Sequence, residues 1–212
     1  MMNAYGKIYL ERARISLGSM LDYAVHDLKY DLGVFWEMFL SSPISQRFEC
    51  GDVSVIVGRS GVELALMISG IQKDYPTATF SEGKSRQYWL GWALAYYQWH
   101  TALCFSQITK FISIEEILEM YSPYHEMDIR QFCDRLSAIY DERKSMTNLK
   151  RIRLAADLSQ SELATISGIP VRTLQQYEQK KKDINRARAF YIIALAHALY
   201  CEPQHLLEYD LG

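Results

Sequence analysis

Between Val171 and Lys182 the sequence VRTLQQYEQKKK gathers one guanidinium, three primary amides and three ammonium groups. A guanidinium offers five donors in a fixed fork and a glutamine amide both donates and accepts, so these groups suit the reading of hydrogen-bonding edges. The lysines suit an anion. Leu174 and Tyr177 stand three residues apart, and on a helix this turns both inward and leaves Val171, Arg172, Gln175, Gln176 and Gln179 facing out.

Such a helix needs others to hold it, and the preceding residues supply them. Leu149, Ile152 and Ala156 recur at helical spacing and predict a first helix with one buried face; Lys150, Arg151 and Arg153 are the basic members of that helix. Ser159 followed by Glu162 is a capping box, so a second helix opens at Gln160, with Leu163, Ala164 and Ile166 as its apolar stripe. Gly168 fits a turn with positive φ, and Pro170 fits the start of a third helix, where its missing amide hydrogen leaves no bond unmade. A helix, a capped helix, a tight turn and a donor-rich helix make a helix-turn-helix, an arrangement that reads duplex DNA.

Charge supports this independently. The 212 residues carry 23 basic and 25 acidic side chains, a balance that by itself argues against nucleic acid. Residues 147–190, however, hold nine Lys and Arg against four Asp and Glu, while residues 1–146 hold fourteen against eighteen. A basic reader joined to an acidic body is expected when one face of one domain meets phosphate.

Leu-Ser-Gln at 158–160, Glu-Leu-Ala at 162–164, Gly168-Ile169, Leu174 and Tyr177-Glu178 together resemble the Xre family of DNA-binding domains, the Cro and phage-repressor type. The resemblance covers about residues 147–209 and implies five short helices around one core. It implies that the third helix enters the major groove, with Arg172 donating twice to guanine, Gln176 pairing with adenine and Val171 packing on a thymine methyl. Gln160 is implied to hold a phosphate or brace the recognition helix, Lys180 and Lys181 to contact phosphate, and Arg153 and Glu178 to form a structural pair. Val171, Arg172, Thr173, Gln175, Gln176, Gln160, Lys180 and Lys181 are therefore the candidate DNA-binding residues. Asp157 and Lys180 stand where the family often has glycine, which predicts a differently capped first loop and a helical extension after the third helix.

The expected fold is all-α, with a helical N-terminal domain over residues 1–140, a linker over 141–147 (DERKSMT) and a five-helix repressor-type domain over 148–212. In the first part, Met20, Ala24, Leu28, Phe35 and Phe39 predict one helix, or two joined near Gly33. Val53–Val57 reads as a loop or short helix, Val62–Ile68 as a buried segment, Pro76–Gly83 as a polar connection, and Tyr88–Tyr97 as a core helix too short to span a bilayer. Further helices are predicted over Ile114–Tyr121, ended by Ser122-Pro123, and over Asp128–Tyr140. Trp89, Trp92, Tyr96 and Trp99 share one helix face, as core or as a ligand or partner surface.

Other constellations lack parts. His125-Glu126 has no second histidine for a zinc site, His100 and Cys104 at i and i+4 have no orienting third group, and GRSG at 58–61 lacks the lysine of a phosphate loop. The four cysteines contain no Cys-x-x-Cys and are expected as reduced, buried thiols. The charged N-terminus predicts no signal peptide and a cytoplasmic protein. The reading is a dimeric, sequence-specific transcription regulator, a repressor or antitoxin-like autoregulator, with no cofactor, no metal and no catalytic residues. Its partners are double-stranded DNA, a second copy joined through the N-terminal domain or around Leu206 and Leu207, and a toxin or other protein held by the N-terminal domain. A ligand sensor, or an enzyme with an attached reader, is the alternative.

Overall fold

The computed structural model describes residues 3–71 and 85–208, and among these every regular element is helical. The chain divides into two compact units, residues 1–140 and 141–212. The polar connection expected over Pro76–Gly83 lies outside the described residues.

In the first unit, α1 (Leu10–His26) packs along α5 (Gly61–Ser69) and α6 (Arg86–Thr101), with α2 (Leu32–Ser41), α3 (Pro43–Glu49) and α4 (Val53–Ile56) between them in sequence. The close approach of α1 and α6 depends on glycine: a Cβ on Gly91 would lie 2.4 Å from the Leu17 carbonyl oxygen. Then follow α7 (Phe105–Thr109), α8 (Ile114–Glu119), the short α9 (Tyr121–Tyr124) and α10 (Ile129–Ser145), the last of which runs past the end of this unit at Tyr140. Trp36, Phe39 and Phe48 gather around Phe105, with ring centroids 5.5, 5.6 and 6.0 Å from it, and all four rings are buried. Burial of such rings supplies much of the driving force for a domain of this size.

Three boundaries differ from expectation: the helix expected over Ile114–Tyr121 ends at Glu119, with Ser122 and Pro123 inside the short α9, and two others follow. The break between α1 and α2 falls at Lys29, which has a φ of 62°, and Asp31 then caps α2 by accepting from the Val34 amide; Gly33 lies inside α2. The stretch expected as a linker is helical through Ser145, because α10 continues through the charged residues, and only Met146 and Thr147 separate it from the next helix.

The second unit comprises α11 (Asn148–Ala155), α12 (Gln160–Ser167), α13 (Val171–Glu178) and α14 (Ala189–Ala198), with 3-10 turns at Ile184–Arg186 and Pro203–Leu206. The fifth helix of the expected bundle is this last single turn. Leu149, Leu163, Ile169, Leu174, Leu195 and Leu206 form the centre of its core. Two apolar residues of the predicted stripes face outward instead: Ala156 is exposed, as is Ile166, while the inward place on α11 is taken by Arg153.

Candidate nucleic-acid interface

The helices of the second unit around α13 are closed by local chemistry. Thr147 caps α11 by accepting from the Lys150 amide at 3.2 Å. The capping box on α12 is complete: Ser159 Oγ accepts from the Glu162 amide at 3.1 Å, and Glu162 accepts from the Ser159 amide at 2.8 Å. The Ser159 hydroxyl and amide hold the Glu162 carboxyl below its ordinary range. Gly168 ends α12 with φ of 70°, and Pro170 occupies the N-cap of α13.

Asp157 and Lys180 take the left-handed conformation without being glycine, with φ of 54° and 56°. Both follow a helix end in the same way. The Leu158 amide donates to Arg153 O at 3.1 Å and the Lys181 amide to Gln176 O at 2.9 Å, each bond reaching back over five residues to close the last turn. The expected helical extension after α13 is thus a left-handed turn, because closing these carbonyls demands it. Such a conformation costs an L-residue roughly 1–2 kcal/mol.

α13 is fixed from beneath by a buried ion pair. Arg153 Nε and Nη2 donate to Glu178 Oε1 and Oε2 at 2.6 and 3.0 Å, and Arg153 Nη1 donates to the Leu158 carbonyl at 2.5 Å. Gln160 continues the network, donating from Nε2 to Glu178 Oε2 at 2.7 Å and accepting from Gln175 Nε2 at 3.3 Å. Of the two roles implied for Gln160, bracing has these bonds behind it. Helical spacing alone does not predict the join between Gln160 and Gln175, although both are candidate residues.

Around α13, Leu174 and Tyr177 are buried, Arg172 is exposed, and Val171, Thr173, Gln175 and Gln176 are half-buried along its outer edge. Lys180, Lys181 and Lys182 are exposed just beyond it. Arg188, exposed at the N-cap of α14, is a further cation that the sequence entered only in the charge balance.

A braced outward helix behind a capped helix and a glycine turn defines a helix-turn-helix unit. Residues 149–206 match the family model described as Helix-turn-helix, and this segment is a helix-turn-helix domain of the Xre type, which supports a DNA-binding transcription regulator. The comparisons with curated proteins and with solved structures returned no match.

The remaining candidate groups fall apart or into packing. Ala102, with φ of 56°, ends α6, so His100 and Cys104 do not share a helix: His100 stacks on Tyr96, and Cys104 lies at the N-cap of α7. Burial, and then the Glu49 carboxylate, push the Cys104 thiol up. The expectation of buried thiols holds for Cys133, whose pKa burial pushes up to about 12, but Cys50 and Cys104 are exposed and Cys201 is half-exposed. The surface helices of this unit are short, and their ends bring Cys50 and Cys104 out. His125 stacks on Tyr121 with centroids 4.0 Å apart. Among the described residues no three His, Cys, Asp or Glu side chains form a metal-binding group, and no helix is long and apolar enough to cross a membrane. On the aromatic face, Trp89 and Trp99 are buried, whereas Trp92 and Tyr96 are half-exposed beneath the Arg14 guanidinium, which lies 3.2 Å from the Trp92 ring centroid.

Proposed function

We propose that the protein is a repressor or antitoxin-like autoregulator that binds its operator as a dimer and holds a protein partner through its N-terminal unit. The observation that carries this reading is the outer edge of α13, where an exposed Arg172 and half-buried Gln175 and Gln176 stand on a helix locked by Arg153 and Glu178. Arg172 donates to guanine and Gln176 pairs with adenine, while Val171 and Thr173 supply apolar contact in the groove. Lys180 and Lys181 neutralise phosphates at the end of the helix, and Gln160 holds Gln175 in register. One such module makes too few base contacts for useful selectivity, and two copies on a symmetric site supply the rest.

The partner surface of the N-terminal unit centres on Trp92 and Tyr96. Their half-exposed rings, backed by the buried Arg14 guanidinium, suit a protein segment that brings an apolar or aromatic side chain against them. Burial lowers the pKa of Arg14, and the pairing of its Nη1 with Glu11 at 3.5 Å offsets this only in part.

Selection from a random-sequence duplex pool with the full-length protein tests the reading. A single enriched, two-fold symmetric motif is the expected result. Recovery of unrelated sequences would contradict it.

A further inference from the structure

In the first unit the ends of α3, α6 and α7 meet at one residue, Glu49. Gln98 of α6 donates from Nε2 to the Glu49 carbonyl at 3.3 Å, and the Glu49 carboxylate accepts from the Phe105 amide at 2.5 Å and from the Cys104 thiol. Cys50, the residue after Glu49, lies within electrostatic reach of Cys104. Two thiols far apart in sequence thus flank one carboxylate, and both residues are exposed.

We propose that Cys50 and Cys104 are an oxidisable pair, which a small disulfide such as oxidised glutathione converts to a bridge within the chain. The Cys50 thiolate attacks one sulfur of the small disulfide, whose S–S bond breaks and releases a thiolate that takes up the Cys50 proton. Cys104 Sγ then attacks Cys50 Sγ in the mixed disulfide, and the second small thiolate leaves. The Cys104 proton passes to the Glu49 carboxylate and on to this leaving group. One small disulfide is reduced to two thiols, and two protein thiols are oxidised to one disulfide.

The surroundings set the order of attack. Burial, and then the Glu49 carboxylate, push the Cys104 thiol up, which makes it a slow opening nucleophile. It needs only to resolve a mixed disulfide already held beside it. Cys50 is the C-cap of α3 and Cys104 the N-cap of α7, so closing the bridge disturbs no helix interior. The other cysteines are placed differently: Cys133 is buried, and Cys201 is the single cysteine of the second unit. The bridge ties α3 to α7 across the end of α6 and closes a long loop, which constrains the unfolded chain.

Exchange of the reduced full-length protein with excess oxidised glutathione, followed by alkylation and peptide mass mapping, tests the pair. Wild type is expected to carry a Cys50–Cys104 bridge within one chain and to melt roughly 10 °C above the reduced protein. Buried Cys133 should stay unreacted, which marks the bridge as formed in the folded chain. Cys104→Ser should hold glutathione on Cys50, whereas Cys50→Ser should take it up on Cys104 at least about tenfold more slowly. Lasting glutathione adducts on both cysteines of wild type, bridges only between chains or to Cys201, or no reaction at either thiol would overturn the proposal.

Discussion

Glu178, the last residue of α13, accepts two hydrogen bonds from Arg153 of α11, and both side chains are almost wholly buried, at 2 and 7 % exposure. Neither charge meets water, so each is stabilised mainly by the other. The pair fixes where α13 ends and, through Gln160, how Gln175 is held.

Arg153→Ala or Glu178→Ala should therefore destabilise the second unit by about 3–5 kcal/mol, because each leaves an uncompensated buried charge. The double replacement Arg153→Met with Glu178→Leu should recover most of that loss. Urea unfolding monitored by circular dichroism checks both, and a double variant as unstable as the sum of the single ones would speak against this account of the pair.

Asp157→Gly should stabilise the same unit by about 1 kcal/mol, because glycine adopts its φ of 54° freely. Lys180→Gly should stabilise similarly but weaken DNA binding by removing a cation, with a decrease of about one in the slope of log affinity against log salt. Melting temperatures and salt titrations on one duplex separate the two effects.

Much of this unit was legible because its determinants are local. The Ser159–Glu162 box, the left-handed Gly168, and the inward Leu174 and Tyr177 each follow from neighbours within a turn or two. Less legible were features decided by packing. Asp157 and Lys180 look unsuited to left-handed turns, yet the carbonyls behind them require the turns. Periodicity turns Ala156 inward, but a guanidinium with a buried carboxylate waiting for it takes the inner place. In the first unit, Gly33 looked like a break, whereas Lys29 and the Asp31 cap make it, and Ala102 separates His100 from Cys104 by ending a helix that spacing alone would continue. The charge run in 141–145 resembled a linker because a solvated helix and a loop have similar composition.

Gly91→Ala should destabilise the first unit by about 1–3 kcal/mol or more, since its Cβ would meet the Leu17 backbone at 2.4 Å and neither helix can move without disturbing the core. Thermal unfolding of the full-length protein checks this. A neutral effect would mean that α1 and α6 pack less closely than described.

Part of the acid limb of stability should depend on Asp52. The Ser54 hydroxyl, with Arg47, holds its carboxyl down at about 2 from an ordinary 3.8. A depressed carboxyl contributes stability that is fully present above 3.8 and lost as pH falls towards 2. Asp52→Asn should flatten that part of the curve of urea midpoint against pH; an unchanged slope would assign the acid limb to other groups.

The central claim is that α13 reads base edges with Arg172 and Gln176. Fluorescence anisotropy on the selected duplex and on a scrambled one, at fixed salt, tests it most directly. Arg172→Ala and Gln176→Ala should each lose about 1–3 kcal/mol on the selected duplex and little on the scrambled one, whereas Lys181→Ala should weaken both alike. Equal losses on the two duplexes for Arg172→Ala and Gln176→Ala, or no loss on either, would contradict the account.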